Sequence, residues 1–182
     1  YNNATYTGRN ILIGDNAGKD LAIVPDCIAI GYNAMANVAG ALGKNIAIGN
    51  YAMENDTYGY IDYSVAIGYE AMTDATNGSN CTAVGYNAMK NNTGDANTGI
   101  GAGALAVNTS GTSNTAVGNA ALYSTTGTEN IGIGKAAGYG NSSGDKNIYI
   151  GSWSGAAAST ADTNVGIGNL SLDRITPGAY NT

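Results

Sequence analysis

Apolar and polar residues alternate along this chain in short bursts that return at a steady interval. Each burst is three residues closed by a glycine: ILIG at 11–14, IAIG at 28–31 and 46–49, VAIG at 65–68, TAVG at 82–85, TGIG at 98–101, TAVG at 115–118, IGIG at 131–134, IYIG at 148–151 and VGIG at 165–168. With that glycine as position 0, the register falls on Gly14, Gly31, Gly49, Gly68, Gly85, Gly101, Gly118, Gly134, Gly151 and Gly168, at spacings of 16 to 19 residues. A unit this short cannot bury an apolar side alone, so the units are expected to stack.

Position −1 is always Ile or Val, and position −3 is always Ile, Val or Thr. Two β-branched residues two apart share one face of a strand and pack well on a pleated surface. We assign that face to the core. Between them stands a small residue in eight units: Ala29, Ala47, Ala66, Ala83, Gly99, Ala116, Gly132 and Gly166, with Leu12 and Tyr149 as the departures. On this assignment the small column points outward. Water-facing strand positions ordinarily carry polar residues, so an Ala/Gly column predicts close approach by neighbouring copies of the chain. Those eight residues are the expected oligomer interface.

Position 0 predicts a turn with positive φ. Position +3 is Ala in eight units and Ser in two, and position +4 is often Met or Leu, which predicts a second inward segment. Stretches such as NNTGDAN and STTGTEN are loop by composition. Position −4 is Asn in seven units, at Asn10, Asn45, Asn97, Asn114, Asn130, Asn147 and Asn164, and predicts an amide ladder along the stack. Cys27 and Cys81 fall in the same column three units apart, beyond disulfide reach, and read as small buried thiols. The expected fold is therefore all-β, a parallel β-solenoid or β-roll of about ten coils over residues 10–172 with a repeat near 17 residues. At normal strand spacing it would be roughly 50 Å long. Residues 1–9 and 173–182 are assigned to caps or continuations, and a first residue other than Met predicts a processed chain or a piece of a longer one.

Composition narrows the chemistry. There is no His, which removes Ser–His–Asp, Cys–His and His-ligated metal chemistry. The net charge of −6 and seven scattered basic residues leave no phosphate-binding patch, so nucleic acid is not an expected partner. No apolar run is long enough to insert in a bilayer as a helix. The acids read as unphased: Asp15 and Glu70 follow their glycines four units apart, and Asp26, Asp56, Asp74, Asp95, Asp145 and Asp162 lie in loops at varying phase. We therefore assign no catalytic residues, no metal ligands and no cofactor, with loop-bound calcium as the only ion considered.

Aromatics are the remaining candidates. Tyr32, Tyr69 and Tyr86 each follow a repeat glycine, Tyr58 and Tyr60 crowd the longest loop, and Trp153 lies in the ninth unit. On a polar Asn/Ser/Thr surface such rings either shield coil edges or stack on sugars. They are the candidate ligand surface.

The units NIAIGNYAM (45–53), CTAVGYNAM (81–89) and NTAVGNAAL (114–122) resemble the repeats of trimeric autotransporter adhesin heads and of phage tail fibres and tailspikes. The resemblance covers about residues 10–172, with a repeat longer here through its loops. It implies a left-handed, trimeric roll at a cell or virion surface, outside the cell, that attaches to a glycan or protein receptor. A filament or spacer without a ligand is the alternative. A third reading, an ice-binding solenoid, needs an outward Thr row. Thr82, Thr98 and Thr115 lie on the face assigned to the core, which argues against it.

Overall fold

The computed structural model describes residues 9–21, 26–38, 43–55, 61–157 and 160–173. It is an all-β parallel β-solenoid. Ten three-residue strands, β1 (Ile11–Ile13), β2 (Ile28–Ile30), β3 (Ile46–Ile48), β4 (Val65–Ile67), β5 (Thr82–Val84), β6 (Thr98–Ile100), β7 (Thr115–Val117), β8 (Ile131–Ile133), β9 (Ile148–Ile150) and β10 (Val165–Ile167), form one sheet in sequence order. All pairings are parallel and in register, position on position, as in Ile28↔Ile46 and Ala29↔Ala47. Among the described residues there is no helix.

Backbone hydrogen bonds tie each coil to both neighbours. Gly31 N–H donates to Ile13 O at 2.8 Å in the coil before, and Ile28 N–H donates to Asn45 O at 2.9 Å in the coil after. The repeat glycine holds φ between 124° and 139° throughout, as expected. A Cβ on Gly31 would also lie within 2.6 Å of the Gly49 carbonyl carbon, so glycine must stack on glycine. Positions +2 and +4 adopt left-handed φ even where they are not glycine, for example Asn33 at 53° and Met35 at 53°. Such values are uncommon for residues with a Cβ. Here neighbouring coils supply the compensation: Asn33 N–H donates to Asp15 O and Met35 N–H to Ala52 O, both at 3.0 Å.

The two strand faces are the reverse of the assignment above. The small column is the one inside: Ala29, Ala47, Ala66, Ala83 and Ala116 are fully buried within the single chain, and Gly99, Gly132 and Gly166 are buried with them. These eight residues therefore cannot be the surface that a partner meets. The β-branched columns point outward, with Ile11 50% and Ile167 69% exposed at the ends and the middle strands half-covered by their neighbours. The physical reason is thickness. Opposite the strand lie the buried Ala at position +3 and the Met or Leu at +4, and opposite Met or Leu nothing larger than Ala fits. A Cβ on Gly99 would lie 2.8 Å from Met89 Cγ, and one on Gly132 would lie 2.7 Å from Leu122 Cγ.

The departures from the small column support this account. Leu12 and Tyr149 put large side chains inside, and in both coils position +4 has become glycine, Gly18 and Gly155. Gly138, in the coil before Tyr149, is glycine as well, and a Cβ there would lie 2.7 Å from Tyr149 Cδ2.

The Asn column is an interior ladder. Each amide oxygen accepts the backbone N–H at the same position of the next coil: Asn114 N–H on Asn97 Oδ1 at 2.8 Å, then Asn130 on Asn114, Asn147 on Asn130 and Asn164 on Asn147, each at 2.9 Å. The amide nitrogens reach across to loop carbonyls, as Asn114 Nδ2 does to Gly127 O at 2.8 Å. The substitutions keep the link: Cys81 N–H donates to Ser64 Oγ at 3.0 Å, and Asn97 N–H to Cys81 Sγ at 3.4 Å. Cys27 and Cys81 form no disulfide, and burial pushes the Cys81 thiol up to about 11.

Candidate functional site

Among the described residues, the outer face of the sheet and the turn positions +1, +2, +5 and +6 carry most of the side chains that the fold itself does not consume. The outer sheet face consists of the −3 and −1 columns. Seventeen of its twenty positions are Ile or Val, and the other three are Thr82, Thr98 and Thr115. Those threonines look outward, so the ground on which ice binding was set aside does not hold. The face is nonetheless mainly aliphatic, and no Thr-x-Thr strand occurs in it. It holds no charged residue.

The turn segments bring most of the candidate aromatics together. Tyr32, Tyr51, Tyr69 and Tyr86 form a continuous row through four successive coils, with ring centroids 5.3, 5.7 and 5.7 Å apart. Tyr69 and Tyr86 are stacked at an interplanar angle of 11°. A second row, Tyr123, Tyr139 and Trp153, begins two coils later, with centroids 5.3 and 6.2 Å apart. Tyr32, Tyr69, Tyr86 and Trp153 are all exposed. Tyr58 and Tyr60 lie outside the described residues. Tyr51, Tyr123 and Tyr139 are absent from the candidates above. Tyr123 and Tyr139 both stand at position +5 of adjacent units, and aligning that column would have found them. Tyr51 stands one position past its glycine's neighbour, and its ring joins the row only because the turn backbone brings it there.

The charged groups are mostly engaged locally. Lys90 Nζ lies 2.6 Å from Glu70 Oε2 beside the Tyr69–Tyr86 pair. Hydrogen bonding to Lys90 holds the Glu70 carboxyl below the usual range, and desolvation followed by a hydrogen bond with Glu70 pushes the Tyr69 phenol up. Arg9 and Asp26 pair at 2.9 Å.

Asp26 and Asp74 stand at different phases, as expected, but three of the loop acids share one with Asp62. Asp62, Asp95, Asp145 and Asp162 share position −6. Each accepts a backbone N–H from the preceding coil, from Gly43 at 2.8 Å, Ser79 at 2.9 Å, Thr128 at 2.7 Å and Asp145 at 2.8 Å respectively. This is loop-capping chemistry. Among the described residues no group of three or more His, Cys, Asp or Glu side chains is placed to hold a metal ion.

Comparison with protein-family models, with curated proteins and with solved structures found no match to this chain.

Proposed function

We propose that this chain is a segment of a self-associating surface fibre, which packs its outer sheet face against further copies and turns its aromatic rows toward the carbohydrate of a cell surface. The observation that carries this reading is the sheet face. Its two β-branched rows make an uncharged strip about 50 Å long and roughly 10 Å wide. Contiguous apolar patches of that order, a few hundred Å² or more, mark interaction surfaces on soluble proteins. A second copy matches it better than an unrelated partner, because it has the same coil spacing and the same lack of charge along its whole length. A trimer of such rolls, as the sequence resemblance implies, would bury one strip from each chain around a common axis.

The test is molecular mass against concentration, measured by light scattering for the wild-type chain and for Ile100→Glu and Val117→Glu. The wild type is expected to be oligomeric and both variants to be folded monomers. A wild-type chain that stays monomeric at every working concentration would overturn the reading. Binding to a glycan array distinguishes attachment from a role as a spacer.

A further inference from the structure

The aromatic face is interrupted at a single coil. In the coil of Gly101 the turn positions +1, +2 and +5 are Ala102, Gly103 and Ala106. The coil before carries Tyr86, Asn87 and Lys90 there, and the coil after carries Asn119, Ala120 and Tyr123. The missing side chains leave a cavity of about 290 Å³, lined by these residues together with Asn91 and Val107. Tyr123 leans over the gap: a Cβ on Gly103 would sit 3.5 Å from its Cε2.

We propose that this cavity is a subsite for one neutral sugar ring of a surface carbohydrate, held between Tyr86 and Tyr123; the inference deepens the attachment reading and rests on it. Its volume lies at the low end of small-molecule pockets, ~300–1,000 Å³, which suits one ring with its substituents rather than a folded chain. Aromatic walls offer π faces to the C–H side of a pyranose. Asn87, Asn91 and Asn119 offer amides, which both donate and accept, to its hydroxyls.

Charge argues for a neutral ligand. The one cation of the lining, Lys90, is already held by Glu70 at 2.6 Å. A further observation marks the place: Asn87 Oδ1 is buried and has no hydrogen-bond partner. Elsewhere in the same column Asn33 Oδ1 accepts from Asn16 Nδ2 of the preceding coil at 3.0 Å, but the residue in that place before Asn87 is Glu70, whose carboxylate has no proton to donate. Buried acceptors are ordinarily satisfied, and a small rotation of the Asn87 amide toward the cavity would let a sugar hydroxyl donate to it.

The test is an array of neutral gluco-, galacto- and manno-oligosaccharides, followed by calorimetry with the best binder. Ala102→Tyr fills the gap with a residue that the same column already holds at Tyr32, Tyr69 and Tyr86, so the coil is expected to fold. Ala102→Tyr and Tyr123→Ala should each weaken binding about tenfold or more, as loss of an aromatic contact does. Lys146→Asn, in a distant loop, should bind as the wild type does. Undiminished binding by Ala102→Tyr, with loss in Tyr32→Ala, would put the sugar on the first aromatic row; it would overturn the subsite and leave the attachment reading standing. A wild-type chain that binds nothing on this neutral array would overturn the subsite, and one that also binds nothing on an array of acidic glycans would overturn the attachment reading with it.

Discussion

The ring of Tyr149 occupies the space that a side chain at Gly155 would need. A Cβ on Gly155 would collide with the ring, and 2.7 Å would separate it even from Cγ. Position +4 carries Met or Leu at left-handed φ in seven other coils, such as Met89 at 53° and Leu105 at 52°. Gly155, at 62°, is therefore glycine for the sake of Tyr149 and not of its backbone.

The pair should be thermodynamically coupled. Gly155→Met alone overpacks the ninth coil, and Tyr149→Ala alone leaves a cavity costing about 3–5 kcal/mol. The double variant restores the common Ala–Met pairing of the other coils. It is expected to be more stable than the sum of the singles by about 1–3 kcal/mol, read from a denaturation double-mutant cycle.

Tyr149 also buries its hydroxyl without a hydrogen-bond partner, and burial pushes its phenol upward. Tyr149→Phe removes an unsatisfied polar group and keeps the ring. Stability should be unchanged or higher by about 1 kcal/mol, and a clear loss in chemical denaturation would show that the hydroxyl has a partner. In an alkaline spectrophotometric titration of the folded wild type, this tyrosine should ionise after the exposed ones.

The Asn ladder predicts a graded series at one position. Asn114 accepts the Asn130 N–H and donates to Gly127 O. Asn114→Ala strips both and should cost about 2–4 kcal/mol, since each buried group left unpaired costs roughly 1–3. Asn114→Ser should cost less, because Ser64 already serves as the acceptor for Cys81 N–H in another coil. Equal losses for Ala and Ser in thermal denaturation would count against the acceptor role.

Adjacent residues of β7 should respond differently to the same change. Ala116 is fully buried and Val117 looks outward. Ala116→Glu buries an unpaired charge in a core with no room for it and should abolish folding, seen as loss of the cooperative transition. Val117→Glu should leave folding intact and act on assembly alone.

Glu70 and Lys90 set a modest pH dependence. The Glu70 carboxyl is lowered in the folded chain, so its contribution is complete above the unfolded value of ~4.3 and is lost as pH falls through the folded value. Lys90 is raised, so its contribution is complete below about 10.4 and is lost as pH rises through the folded value. For a half-buried pair at the surface, screened by solvent, the effect should stay under about 1 kcal/mol and shrink with added salt. Comparing stability–pH curves of wild type and Glu70→Gln isolates it at the acid end.

The period, the ten strands, their register and the Asn ladder along the stack could all be read from the residues. Repetition turns a weak three-residue signal into ten aligned copies, and a parallel stack permits one register. Which strand face lies inside could not be read, because alternation in ILI or TAV marks two faces and does not say which one is enclosed. Burying the bulkier β-branched side is sound for a sheet covered by a full layer. Here the enclosing layer is the coil's own turn segment, and the space across it is set by Ala at +3 and Met or Leu at +4. Opposite Met or Leu only Ala or Gly fits, so the β-branched columns are forced outward. The cavity beside Tyr86 was hidden for a related reason: it is made by side chains absent from Ala102, Gly103 and Ala106, and their absence becomes a space only once neighbouring coils rise on either side.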